Sequence, residues 1–195
     1  MSRADQQAQT RAALLAAGTK LFAQHGYHDT TIDEVARRAG FTRGAFYANF
    51  HDKGDLFLTV LEAQRKRDFG RLSNALDDAP EEEVPARISD WMNQVLIGGP
   101  LRRAMAEFGL AAEASPPHRR RMAANLQAIR ETVAAMLRSY CTRHNVEMVV
   151  DDSAFATMIM SLVGGFADLM RLDPNAATLD TVTHAVSALW AGVQR

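Results

Sequence analysis

A single cysteine, Cys141, stands among the 195 residues, so no intrachain disulfide can form. It reads as a small, half-buried core residue and not as a redox switch. Proline is scarce, at six, and glycine stands at twelve, while Ala, Leu, Arg and Met abound. That balance favours helix throughout. No run of alternating β-branched residues is long enough for a strand, so an all-α fold is expected. Residues 1–9 are polar and lack the apolar core of a signal peptide. The longest apolar stretch, Phe155 to Ala167, is broken by Thr157 and Ser161 and stops at Asp168, which reads as too short to span a bilayer. A cytoplasmic protein with no membrane partner is expected.

Catalytic and metal-binding patterns are missing as well. His25 and His28 have Gly26 between them, and His118, His144 and His184 are scattered, with no His-x3-His pair and no second cysteine. No metal site or cofactor is therefore expected. Neither a Walker-type phosphate loop nor a Gly-x-Ser-x-Gly elbow occurs, so the chain does not read as an enzyme. Arg119-Arg120-Arg121 reads as a solvated helix start, where positive charge opposes the helix dipole, more than as a nucleic-acid patch.

What is present is concentrated in residues 31 to 53. Thr31 can cap a helix, and Glu34, three residues on, can reach back to complete a capping box. Ile32, Val35, Ala36 and Ala39 then follow the stripe of one buried helix face. Gly40 can take the positive φ that ends a helix, and Thr42 supplies a second N-cap at once. Two short helices joined so tightly fit a helix-turn-helix, whose second helix enters the DNA major groove. Phe46 and Phe50 would face inward. Thr42, Arg43, Gly44 and Ala45 fall on the first turn, where base edges are met. Tyr47, Asn49 and Lys53 carry hydroxyl, amide and ammonium donors of the kind that bind phosphates, and Thr31 joins them as a candidate DNA contact.

The neighbouring residues extend the pattern. Upstream stand Leu14, Leu15, Ala17, Leu21, Phe22, Gly26-Tyr27 and Thr30-Thr31-Ile32; downstream stand Ala39-Gly40-Phe41-Thr42-Arg43-Gly44, Phe46-Tyr47, Asn49-Phe50, Lys53 and Leu56. Over roughly residues 10 to 60 this resembles the DNA-binding domain of the TetR (tetracycline-repressor) family of bacterial transcription regulators. Ala48 and Asn49 depart from it, standing where the family often has an aromatic residue and a histidine. The resemblance implies a helical, ligand-binding and dimer-forming body for the rest of the chain.

The net charge of −1 hides an asymmetry: residues 1–71 carry eleven Lys and Arg against eight Asp and Glu, and residues 72–195 eleven against fifteen. A mildly basic end beside an acidic body suits one DNA-facing end. About nine helices are expected. The first covers about Gln6 to Gln24, with Leu14, Gly18, Leu21 and Phe22 buried. The two motif helices follow. Asp52 should cap a long fourth helix running to Asp77, with Phe57, Val60 and Leu61 turned inward, broken by Asp77-Asp78-Ala79-Pro80. Further helices fit about 82–97, 100–113 with Pro100 at its first position, 116–144, 151–171 before Leu172-Asp173-Pro174, and 178–192. Residues 1–53 then form the DNA-binding domain and 54–195 the ligand-binding and dimerisation domain, with the fourth helix as the one segment expected to touch both.

In the last two helices Met158, Ser161, Leu162, Gly165, Phe166, Leu169, Ala185 and Leu189 lie at helical spacing. Paired glycines inside a helix cost about 1 kcal/mol each against alanine, which makes sense where another backbone comes close. These residues are the candidate dimer interface, two helices from each chain forming a four-helix bundle. A homodimer matches a palindromic operator. The middle helices offer an adaptable apolar lining for a small-molecule effector: Trp91, Met92, Val95, Met105, Phe108, Met122, Leu126, Ile129, Met136, Met158 and Phe166, with Asn125, Gln127 and Glu107 as polar contacts. The expected function is a ligand-responsive repressor of operator DNA. The same residues also allow a DNA-binding regulator without a small ligand, controlled by a protein partner or by abundance.

Overall fold

The computed structural model describes residues 2–77, 80, 83–173 and 175–195. Among them are nine α-helices and no strand: α1 (Arg3–His25), α2 (Ile32–Ala39), α3 (Arg43–Tyr47), α4 (Lys53–Asp77), α5 (Val84–Trp91), α6 (Arg102–Glu113), α7 (Pro116–His144), α8 (Asp152–Leu172) and α9 (Leu179–Gly192). The fold is all-α. Of the expected boundaries, Asp78 and Ala79 in the break after α4, the start near Glu82 and Pro174 after α8 lie outside the described residues.

The caps explain most helix starts. Ser2 and Asp5 form a reciprocal capping box, so α1 begins earlier than its apolar pattern. The Asp52 carboxylate accepts the Asp55 amide at 2.8 Å and opens α4. Asp151 accepts the Ala154 amide to open α8, and Thr178 with Thr181 boxes the start of α9. Two expectations fail locally. The helix expected over 82–97 turns from α into a π-helical segment at Met92–Ile97, closed by the Gly98 amide on the Asn93 carbonyl at 2.7 Å. Pro100 is not the first position of α6; Leu101 is the N-cap residue there, without a side-chain cap.

By packing, the chain divides into two compact units, residues 1–67 with 100–125, and residues 68–99 with 126–195. The first is built round Phe22, Phe46, Phe50, Phe57, Phe108, Leu14, Leu21, Leu56, Leu58, Val35 and Val60, all essentially inaccessible to water. Phe22, Tyr27, Phe57 and Phe108 meet edge to face or tilted with ring centres 4.8 to 5.4 Å apart, except Phe22 and Tyr27, which stack at 6.0 Å. Gly18 lets α4 come close to α1, since a Cβ there would stand 2.8 Å from a Leu56 methyl. The second unit has a smaller core of Met92, Val163 and Val182, flanked by Ile88, Trp91, Ile159, Phe166, Met170 and Val186. Phe69 packs on Trp91, whose indole N–H donates to the Asp68 carbonyl at 2.9 Å.

Helices α4 and α7 each supply residues to both units, and α6 belongs wholly to the first. The fourth helix is therefore not alone in joining the reading end to the body. The expected length of the apolar stretch also needs correction: α8 has 21 residues and is long and apolar enough to cross a bilayer by length and composition alone. Thr157 and Ser161 interrupt the apolar run but not the helix, because a helical hydroxyl bonds back to its own backbone, as Thr157 does to the Ser153 carbonyl at 2.9 Å.

Candidate nucleic-acid interface

The turn between α2 and α3 is held by backbone bonds. Gly40 has φ 79° and ψ 24°, its amide donates to the Arg37 carbonyl at 3.1 Å, and the Phe41 amide donates to Ala36 at 2.9 Å. This paired ending requires a left-handed residue, which glycine adopts without a Cβ penalty. Thr31 accepts the Glu34 amide at 3.2 Å; the expected return bond from the Glu34 side chain is not among the described hydrogen bonds, so half of the capping box forms. Thr42 accepts the Ala45 amide at 3.2 Å and starts α3. Each threonine hydroxyl keeps its own hydrogen for an outside acceptor.

Helix α3 is five residues long and has two distinct sides. Phe46 and Phe50 are buried, with ring centres 5.7 Å apart. Thr42, Arg43, Gly44 and Tyr47 are exposed, Ala45 is half-buried, and Thr31 is exposed at the start of α2. Gly44 leaves the backbone bare on that side. Arg43 reaches back to α2, where its Nη1 donates to both Asp33 oxygens at 3.0 and 3.3 Å and its Nη2 to the Tyr47 hydroxyl at 3.4 Å. The Tyr47 hydroxyl and then Asp33 push the Arg43 guanidinium above its ordinary pKa.

Two candidates sit elsewhere than expected. The Asn49 side-chain N–H donates to the Ala45 carbonyl at 2.8 Å, and Asn49 Oδ1 is buried without a partner. The side-chain nitrogen spends one of its two N–H donors on finishing α3, which leaves a single donor for any phosphate. The Lys53 ammonium turns inward and donates to the carbonyls of Tyr27, His28 and Thr30 at 2.7, 3.1 and 2.9 Å. Its three N–H donors match these three acceptors, which leaves none for phosphate. Burial holds Lys53 below the ordinary lysine range despite the upward pull of Asp29 and Glu107.

Residues outside the motif hold it in place. Arg11 donates to the Asn49 carbonyl at 3.1 Å and stacks 4.2 Å above the Phe50 ring. On α6, Glu107 accepts the His28 amide at 2.9 Å, and Arg103 bridges Glu107 and Asp29. Burial pulls the Glu107 carboxyl up, but the His28 amide, Arg103 and the Tyr27 amide outweigh it and leave it below the usual carboxylate range. On α7, Arg121 bonds Asp55, Thr59 and Glu62 of α4, and His118 lies 3.1 Å from Asp52. Apart from the i,i+4 pair of Arg103 and Glu107, none of these was legible beforehand, because each pairs positions far apart with no periodic signal. Arg121 in particular is not part of a solvated face.

The eleven candidate effector residues do not form one group. Phe108 is core of the first unit, Met122 packs on that core, and Asn125 is buried and accepts from Arg65 Nε at 3.0 Å. Met105 is exposed. The helical spacing of Phe108 and Met122 came from packing on this core. Gln127 pairs outward with Glu131, and Leu126 is exposed. Trp91, Met92, Val95, Ile129, Met136, Met158 and Phe166 fall in the second unit. There Met92 is core, Trp91 and Phe166 flank it, and Met158 is exposed. Of the candidate interface, Met158, Ser161, Leu162, Ala185 and Leu189 line one open groove on α8 and α9. Leu169 is 54% exposed, and a Cβ added at Gly164 or Gly165 would meet nothing within 4 Å.

Residues 14–60 match the family model described as bacterial regulatory proteins, tetR family. The "Probable acrEF/envCD operon repressor" of Escherichia coli K12 is 28% identical, over 89% of this chain and 84% of that protein. Among solved structures, SmeT, described as the repressor of the Stenotrophomonas maltophilia multidrug efflux pump SmeDEF, has a TM-score of 0.65 at 20% identity, covering 96% of this chain and 93% of its own. The transcriptional regulator FadR from Bacillus subtilis, solved in complex with stearoyl-CoA, has a TM-score of 0.70 at 16% identity, covering 93% of this chain and 98% of its own. Those two likenesses establish the fold alone, and the family match establishes that residues 14–60 carry a domain of the tetR family of bacterial regulatory proteins.

Proposed function

We propose that this chain is a cytoplasmic, homodimeric repressor that reads a palindromic operator with α3 and releases it when a small, largely apolar effector binds the helical body. The observation that carries the reading is the two-sidedness of α3, with Phe46 and Phe50 buried and Thr42, Arg43, Gly44 and Tyr47 presented outward on a turn held by Gly40. Residues 1–53 take the DNA-binding role and 54–195 the effector and dimer roles. Arg43 reads a base edge, and Thr31, Thr42 and Tyr47 hold phosphates. A second copy covers the open groove of α8 and α9, which explains why a helix so apolar carries Met158, Leu169 and the bare Gly164-Gly165 on its outer side. Effector contacts come from the second unit, among Trp91, Val95, Ile129, Met136 and Phe166. The E. coli relative named a probable operon repressor supports the repressor role, and the similarly folded FadR, solved in complex with stearoyl-CoA, supports an apolar effector.

The test is a linked pair of titrations. The full-length protein selects its own duplex from a random-sequence library, and a thermal-shift screen of apolar compounds finds a stabilising ligand. That ligand is then titrated into free protein and into protein bound to the selected duplex. Weaker ligand binding in the presence of DNA is expected, by the same factor as ligand weakens DNA binding. Equal affinities in the two titrations would leave a DNA-binding protein that is no inducible switch.

A further inference from the structure

The pair formed by Asp33 and Arg43 does more than tie two helices together. Their side chains are 64% and 60% exposed, and an ion pair so open to water adds little to stability. Its consequence is instead directional. Asp33 takes one end of the guanidinium with both carboxylate oxygens, and the Tyr47 hydroxyl takes Nη2, with the Tyr47 ring centre 5.7 Å from the guanidinium carbon. A guanidinium has five N–H donors, and the described bonds use Nη1 and Nη2 but not Nε. A fork of donors thus stays open while the side chain is held from two sides. Asp33 lies in the first turn of α2, where the helix dipole favours a carboxylate.

A free arginine at this position would bind any phosphate within reach, and such binding ignores sequence. Held by a carboxylate, the same arginine carries less net charge toward the backbone and keeps its shape for a base edge. We propose that Asp33 is a specificity-determining residue: it positions Arg43 for base reading and suppresses its sequence-independent attraction to phosphate. The inference rests on the reading of α3 as the DNA-contacting helix.

The experiment compares the full-length protein with Asp33→Asn, Arg43→Ala and the double variant on two duplexes, one selected by the wild type from a random-sequence library and one of scrambled sequence. Asp29→Asn serves as a charge-matched control, because Asp29 pairs with Arg103 instead. Thermal melting checks that each variant is folded. Asp33→Asn should bind the scrambled duplex more tightly, steepen the salt dependence by about one phosphate contact, and lower discrimination between the duplexes about tenfold. Asp29→Asn should shift both duplexes together, and Asp33→Asn should add nothing once Arg43 is alanine. Wild-type discrimination in Asp33→Asn, with a loss in Arg43→Ala, would overturn the role of Asp33 and leave the reading of α3 standing. Wild-type discrimination in Arg43→Ala would overturn both.

Discussion

The Lys53 ammonium lies 4.4 Å from the centre of the Tyr27 ring while donating to the Tyr27, His28 and Thr30 carbonyls. One side chain at the start of α4 thus ties down the loop between α1 and α2. The cation is satisfied by backbone acceptors and a ring face, so its charge works inside the reading head.

Replacing Lys53 with alanine should therefore lower stability by about 2 kcal/mol, the scale of hydrogen bonds to a charged group. The slope of log affinity against log salt should stay at its wild-type value, because no phosphate contact is lost. Urea unfolding and a salt series on the selected duplex measure the two effects. A shallower salt slope with unchanged stability would return Lys53 to the DNA surface.

Tyr27 gives the chain an alkaline limit. Burial first, and the nearby Asp52 second, push its phenol from 10.0 to about 12. The folded state then holds the proton that the unfolded chain gives up, so stability is full below pH 10.0 and falls as pH rises toward about 12. A titration followed by tyrosinate absorbance should show one late tyrosine, absent in Tyr27→Phe. The loss of stability between those pH values should be smaller in that variant.

Gly26 is constrained twice. Its φ is +81°, and an added Cβ would stand 2.8 Å from both Glu107 carboxylate oxygens. Gly26→Ala should cost about 2 kcal/mol or more from backbone strain and crowding together. Because Glu107→Ala by itself loses the bonds to His28 and Arg103, the comparison is with that variant. Gly26→Ala should cost less in the Glu107→Ala background by the crowding and keep the strain, which urea midpoints of both single variants and the double variant would separate. No cost of Gly26→Ala in the Glu107→Ala background would mean that φ carries no cost.

Gly165 separates folding from assembly. Space surrounds it in the single chain, so Gly165→Ala should hold or raise stability of the helix, by up to about 1 kcal/mol. Gly165→Leu should still fold, but should split or distort a dimer packed on this side and weaken operator binding with residues 1–53 untouched. Sedimentation of both variants at micromolar concentration is the measurement. A dimer unaffected by leucine would move the interface away from Gly165.

The sequence by itself determined most of what depends on neighbours in the chain, the π-helical turn at Met92–Ile97 and the start of α6 excepted. Thr31, Gly40 and Thr42 act through bonds to residues three or four positions away, so the turn, its two helices and the burial of Phe46 and Phe50 could be read directly. Caps at Asp52 and Asp151 placed α4 and α8 for the same reason. Tertiary structure decided where long side chains spend their donors. Lys53 has the right chemistry for phosphate, but carbonyls brought near by folding take its donors first. Phe108 and Met122 have the spacing of a ligand lining, yet an apolar helix face is the same signal whether it meets a ligand or another helix, and here it meets the core of the reading head. The Asp33 clamp on Arg43 and the Arg121 bridge to Asp55 and Glu62 join separate helices, and no periodicity announces a pair that only the fold brings together.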